Sequence, residues 1–250
     1  MVDGKSFKKR MPLINYLLLL ALLFSLGINQ ALFYKINAAL GDKNGFFEQL
    51  KKKLTLGAKS AGGLKLSGNL SDDVIKLAIA TGMPDIYGPE LSVSFDAAQQ
   101  SINILKVYDP TYGKQKITLT GDDLKRYIEI GGKISCEYCC GAKAIVAANG
   151  QAACGCAHSQ AMRGLAAYLI KNHPSEYNND QILKELARWK GIFFPKQMIK
   201  KLTQQLQDGN YTPDTASLVM GIELPDYGGQ SKEAPLPSEI ENLPSMVGGC

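Results

Sequence analysis

The chain reads Cys136-Glu-Tyr-Cys-Cys140 and, after a short spacer, Cys154-Gly-Cys-Ala-His158. These two groups contain five of the six cysteines and one of the two histidines of the 250-residue chain. The spacer contains Asn149-Gly150 between small apolar residues, which is a strong signal for a β-hairpin. A hairpin here would fold the second group back beside the first, so the sequence predicts a single cysteine cluster over residues 136–158.

A cluster of this kind favours a soft metal site. A Cys-x-x-Cys pair supplies two thiolates at the spacing that tetrahedral zinc uses, and the second group supplies the remaining ligands. Copper(I) accepts the same soft ligands. The predicted ligands are Cys136, Cys139, Cys154 and Cys156. His158 is expected as a replacement or additional ligand, and Cys140 as a spare sulfur.

Two other interpretations of the cluster stay open. Cys136 and Cys139 have the spacing of thiol–disulfide oxidoreductases, although no helix is predicted to begin at Cys136. In an exported domain the same cysteines also form structural disulfides, and six cysteines allow fifteen pairings. In this second interpretation, the cysteines form disulfides that staple an interaction domain, and they carry out no chemistry. No catalytic residue stands out, so the sequence leaves open whether the chain is an enzyme.

The N-terminal segment has the composition of a membrane anchor. Residues 1–10 contain four basic side chains, and residues 11–33 are mainly apolar. About twenty helical residues cross the ~30 Å apolar core of a bilayer. The positive-inside rule then places residues 1–10 in the cytoplasm and the bulk of the chain outside the cell membrane. The expectation is an uncleaved, single-pass signal anchor, and the alternative is a cleaved signal peptide.

The rest of the chain divides by composition. Residues 34–70 contain Gly- and Ser-rich stretches typical of a juxtamembrane stalk, and residues 71–210 have the apolar spacing of a helical domain. Residues 211–250 are rich in Pro, Gly, Ser and Glu, which predicts a disordered tail.

The net charge of +5 arises partly from the membrane flank. Since no basic stripe interleaved with aromatic residues is present, nucleic acid is not an expected partner. The expected partners are the membrane and a protein outside it.

The predicted fold class is mainly α, with a small β-hairpin carrying the cysteine cluster. Apolar periodicity, capping residues and breakers predict the helices. They cover 72–80, a segment opened by Ser94, 122–130, 157–171, a segment from 179 or 180 to 191, and one with Pro195 in its first turn. A short run at 117–119 is β-prone.

Residues 136–195 combine the cysteine knot, a helix, a short turn and a second helix that contains Ile182-Leu-Lys-Glu-Leu. In this order they resemble the PCYCGC-motif family of exported bacterial proteins, although the chain has Ala153-Cys-Gly-Cys156 in place of the intact Cys-x-Cys-Gly-Cys run. The run from Ile182 to Pro195 also resembles the thiol-handling subunit of the cytochrome c maturation system. That second resemblance implies thiol–disulfide or haem-thiol handling by the Cys-x-x-Cys pair.

Overall fold

The computed structural model describes residues 64–227 and 238–249. The predicted basic flank, the anchor at 11–33 and most of the predicted stalk lie outside these residues. Among the helices that the structure describes, none is both long enough and apolar enough to cross a bilayer.

The first half of the domain consists of short helices joined by tight turns. They are α1 (Leu70–Ala78), α2 (Tyr87–Leu91), α3 (Ala98–Leu105) and α4 (Gly121–Gly132), with 3₁₀ turns at Phe95–Ala97 and Lys106–Tyr108. The side chain of Asn69 caps α1, and Ser94 caps the first 3₁₀ turn. Both residues satisfy backbone N–H groups that would otherwise lack a partner at the start of a helix.

The second half contains the longer helices. They are α5 (Glu137–Cys140), α6 (Ala157–Asn172), α7 (Asn179–Phe193), α8 (Pro195–Asp208), α9 (Pro213–Val219) and α10 (Ser238–Glu241). Asn178 and Gln181 form a capping box at the start of α7, and Pro195 occupies the first turn of α8. These signals are local, which is why the sequence placed α6, α7 and the start of α8 within a few residues.

Helix α6 is the centre of the domain. It packs against α3, α4, α7 and the 3₁₀ turn at Lys106–Tyr108. Its apolar residues are buried on almost every side, and three polar residues on it, His158, Ser159 and Arg163, are buried completely. At Gly164 the helix passes so close to α3 that an added Cβ would meet the Leu105 carbonyl oxygen.

The mainly helical class is confirmed, but the predicted β-hairpin is wrong. In the part of the chain that the structure describes, there is no strand, and the spacer forms only an isolated antiparallel bridge between Val146 and Ala152. The turn itself is present, because Gly150 adopts φ +82°. The ladder stops because the backbone N–H of Ile145 donates to the carbonyls of Gly131, at the end of α4, and Ile134 instead of to the facing arm. The β-prone run at 117–119 is likewise not a strand.

Two predicted flexible segments are folded where the structure describes them. At the end of the predicted stalk, the buried Asp73 carboxylate accepts hydrogen bonds from the backbone N–H groups of Ser67 and Gly68. In the predicted disordered tail, α9 packs against α7, and the Val247 N–H donates to the Phe193 carbonyl over 2.8 Å. Composition suggested disorder, but buried contacts with the helical core order these residues.

Candidate metal centre

The two cysteine groups meet at the N-terminus of α6. Cys136 precedes the short helix α5, and its carbonyl accepts hydrogen bonds from the N–H groups of Cys139 and Cys140. Cys156 caps α6, where its sulfur accepts the Ser159 N–H over 3.4 Å. The sulfurs of Cys136 and Cys156 lie 3.3 Å apart. The predicted convergence of the two groups is therefore confirmed, although a bridged turn rather than a hairpin achieves it.

Four side chains place one ligand atom each within 4.8 Å of one another: Cys136, Cys139, Cys156 and His158. Three thiolates and one imidazole form one of the ligand sets of tetrahedral zinc. Zinc–sulfur bonds of about 2.3 Å imply sulfur–sulfur separations of about 3.8 Å in a tetrahedron. The sulfurs of Cys136 and Cys156 are 3.3 Å apart, and all four ligand atoms lie within 4.8 Å of one another. These distances are close to the value of about 3.8 Å, so small side-chain movements would bring the four atoms around one ion.

His158 is oriented as a metal ligand would be. Its Nε2 lies 3.0 Å from the carbonyl oxygen of Val247. A carbonyl only accepts hydrogen bonds, so Nε2 carries a hydrogen. Nδ1 is buried and makes no hydrogen bond of good geometry among the described residues, while the His158 side chain interacts with the Cys156 sulfur. A buried polar atom without such a hydrogen bond is costly, and a bound cation would satisfy it.

Aromatic rings hold this imidazole in place. The ring centroids of Phe193 and Phe194 lie 4.9 Å and 5.0 Å from that of His158. Both rings therefore contact the cysteine cluster through the histidine. Both rings are fully buried, so the apolar wall also keeps water away from one side of the site.

The sulfurs of Cys136 and Cys156 are in hydrogen-bond contact. This contact lowers the pKa of Cys156; burial opposes the shift, and His158 and Ser159 lower the pKa further. The same contact, together with burial, raises the pKa of Cys136. Cys156 is therefore the more easily ionised of the two sulfurs, and a thiolate is the form that binds a metal.

Cys140 and Cys154 form a different pair. Their sulfurs are at disulfide distance, and the two residues are separated by 14 positions in the chain. The sequence predicts Cys154 among the primary ligands and His158 as a replacement or additional ligand, whereas the structure groups His158 with Cys136, Cys139 and Cys156. Cys140, Cys154 and Cys156 nevertheless form a second set of sulfurs within 4.8 Å.

Arg163 positions the loop that carries Cys154. Its Nη1 donates to the carbonyl oxygens of Cys154 and Ile145 over 2.7 Å and 3.2 Å. Its Nη2 lies 2.7 Å from Asp109, and both charged side chains are fully buried. The sequence analysis did not identify this arginine. The one available signal was a charged residue between apolar positions of a predicted buried helix.

A second buried ionic network lies directly behind the Cys-x-x-Cys segment. Lys190 contacts Glu137 at 2.8 Å and Asp214 at 2.6 Å, and Lys201 contacts the same two carboxylates. Burial raises the pKa of Glu137, but the hydrogen bonds from both lysines outweigh it, so this pKa lies below its usual range. Glu137 therefore ties α5 to α7 and α8 directly, and to α9 through the lysines that it shares with Asp214.

This network predicts a loss of stability in acid. Burial opposes ionisation of Asp214, but Lys190 and the neighbouring donors lower its pKa from 3.8 to about 2. A lowered folded-state pKa stabilises the fold above the unfolded value, and this stabilisation is lost as the pH falls from about 4 to 2. The shift corresponds to about 2 kcal/mol of unfolding free energy.

Urea unfolding at a series of pH values measures this loss. Asp214→Asn should be less stable near neutral pH and should show a flatter decline between pH 4 and 2. Asp122→Asn is the matched control, because the Asp122 side chain is 91% exposed. An unchanged acid limb in Asp214→Asn would contradict the assignment.

No family model, curated protein or solved structure matches the chain. The resemblance of residues 136–195 to the two families named above stays an expectation. The chemistry of the site is therefore the basis for a function.

Proposed function

We propose that this protein binds one soft metal ion, zinc or copper(I), through Cys136, Cys139, Cys156 and His158. The observation that carries the proposal is the convergence of three cysteine sulfurs and the buried His158, whose Nδ1 makes no hydrogen bond of good geometry among the described residues. The hydrogen bond from Nε2 to the Val247 carbonyl fixes the ring so that Nδ1 is the ligating atom. Outer hydrogen bonds of this type are a general feature of metal-binding histidines.

The exposure of the ligands favours metal handling over a purely structural role. Cys136 and His158 are fully buried, but Cys139 is exposed and Cys156 is half-buried. The four proposed ligands would fill a tetrahedral site, as in structural zinc sites, but one of them, Cys139, lies at the surface. Here an incoming thiolate from a partner could reach the ion from the Cys139 side. The proposed activity is therefore delivery or acceptance of the ion by ligand exchange with a protein partner.

The proposed location is the outer side of a cell membrane. The basic flank followed by the apolar stretch at 11–33 supports an anchor with the domain exported. The Cys140–Cys154 pair supports the same location, because disulfides persist in oxidising compartments.

Elemental analysis of the purified full chain tests the metal site. About one zinc or copper per chain is expected, with Cys136, Cys139 and Cys156 protected from alkylation until a chelator is added. Cys136→Ser and Cys156→Ser each remove a ligand. They should weaken binding by more than the roughly 10–100-fold typical of losing an outer-shell partner.

The matched control is the double variant Cys140→Ser and Cys154→Ser. It removes two sulfurs from the same cluster but leaves the four proposed ligands, so it should keep the ion. Loss of the ion from this variant, with native helix content retained, would place Cys154 among the ligands and contradict the proposed set.

Thiol–disulfide or haem-thiol handling by Cys136 and Cys139 is the second candidate. The observation in its favour is the position of Cys139, which is exposed beside the buried Cys136 and accessible to a partner disulfide. Protein that purifies without metal, and that contains a Cys136–Cys139 bond reducible by dithiothreitol, would support this function instead.

A further inference from the structure

Cys156 is the one residue common to the two sulfur groups that the described residues form. We propose that Cys156 has two mutually exclusive uses: it ligates the metal, and in the metal-free protein it attacks the Cys140–Cys154 disulfide. The gating by metal rests on the proposed function; the exchange itself does not. Metal release would thereby change which cysteine the protein presents to its surroundings.

Geometry places the three sulfurs for this exchange. The sulfur of Cys156 lies within 4.8 Å of those of Cys140 and Cys154. Cys156 also caps a helix of 16 residues, where the Ser159 N–H points at its sulfur. Gly155 separates Cys154 from Cys156, and nothing lies within 4 Å of the position that its Cβ would occupy. The backbone between the two cysteines therefore has room to adjust as a bond forms.

The exposure of the two disulfide sulfurs decides the direction of the attack. Cys154 is buried, whereas Cys140 is exposed at the end of α5. A departing thiolate is better solvated at the exposed position, so Cys140 is the leaving group. The Cys156 sulfur forms a bond with the Cys154 sulfur, the Cys140–Cys154 bond breaks, and its electron pair leaves on Cys140.

The exchange conserves atoms and electrons. Cys156 attacks as a thiolate and Cys140 leaves as a thiolate, so the charge is conserved as well. One disulfide and one thiol are present on each side of the step, so no oxidant or reductant is required. The product has an exposed Cys140 thiol next to the exposed Cys139 on α5.

A bound metal ion suppresses the exchange. Coordination withdraws electron density from the Cys156 sulfur and holds it at the ion, so the ligated sulfur is a weaker nucleophile than the free thiolate. The metal-bound protein keeps Cys140 and Cys154 paired, whereas the metal-free protein distributes between two disulfides. The expected consequence is a surface thiol that appears when the ion leaves.

Tryptic mapping separates the two states. Trypsin cleaves after Lys133, Lys143 and Arg163, which puts Cys140 and the pair Cys154 and Cys156 on different peptides. A Cys140–Cys154 bond links peptides 134–143 and 144–163. A Cys154–Cys156 bond leaves them unlinked, with all three cysteines of peptide 134–143 alkylated and none in peptide 144–163.

The experiment incubates the full chain without oxygen, with zinc in one arm and a chelator in the other. Free thiols are then alkylated with N-ethylmaleimide in denaturant at mildly acidic pH. Chelation should lower the amount of the linked peptide pair and raise the amount of unlinked peptide 134–143 with three alkylated cysteines. Cys156→Ser is the control, and it should remain linked in both arms. Serine is a good helix cap, so the variant is expected to fold.

The outcomes distinguish the exchange from the metal site. Peptides that stay linked in both arms, in protein that binds metal, would overturn the exchange and leave the proposed function standing. Unlinked peptides in both arms, in protein that binds no metal, would support the exchange and overturn the gating by metal. An unlinked peptide in Cys156→Ser would also overturn the exchange, because another sulfur would then be responsible.

Discussion

Replacing Arg163 by methionine should lower the free energy of unfolding by about 3–5 kcal/mol, the usual cost of removing one partner of a buried ion pair. The Asp109 carboxylate would stay fully buried with its cationic partner gone. The carbonyl oxygens of Cys154 and Ile145 would lose their bonds to Nη1 as well. Since domains are stable by only about 5–15 kcal/mol, the loss is a large share of the total.

Urea unfolding monitored by circular dichroism measures this loss. Lys125→Met is the matched control, because Lys125 pairs with Asp122 in a salt bridge whose two side chains are 79% and 91% exposed. Exposed pairs contribute at most about 1 kcal/mol. The double variant Arg163→Met and Asp109→Asn should recover part of the stability, since it removes the uncompensated charge. Equal losses in Arg163→Met and Lys125→Met would show that the buried pair does not matter.

Replacing Gly164 by alanine should destabilise the protein by about 1–3 kcal/mol or more, the range for overpacking a filled core. The added Cβ would meet the Leu105 carbonyl oxygen and lie 3.2 Å from the Asp109 N–H nitrogen. Both are backbone atoms and cannot rotate away. Relief requires α6 to move off α3, and α6 also carries Cys156, His158 and Arg163.

Gly132→Ala provides the comparison for this substitution. Gly132 also lies in a helix, but nothing is within 4 Å of the position that its Cβ would take. Alanine is favoured over glycine in helices by up to about 1 kcal/mol, so this variant should be neutral or slightly more stable. Thermal unfolding of both variants checks the sign. A Gly164→Ala variant as stable as Gly132→Ala would mean that α6 and α3 do not pack as described.

The helices show how much of the fold follows from local signals. Apolar spacing and the stop at Asn172-His-Pro174 predicted a helix over 157–171, and α6 spans Ala157–Asn172. The predicted start of α7 at residue 179 agrees with the capping box at Asn178. In the spacer, by contrast, the Asn-Gly turn formed but the strands did not, because α4 takes the hydrogen bonds that a ladder would need.

The sequence by itself determined the helical class, most helix positions and the meeting of the two cysteine groups, since spacing, caps and a tight turn act over a few residues. Only the tertiary structure decided which sulfurs pair and which atom of His158 faces them. The orientation of His158 depends on Val247, 89 positions away, and that of Arg163 on Asp109, 54 positions away. Such contacts depend on how buried helices pack, and no local pattern of residues encodes the distance between them.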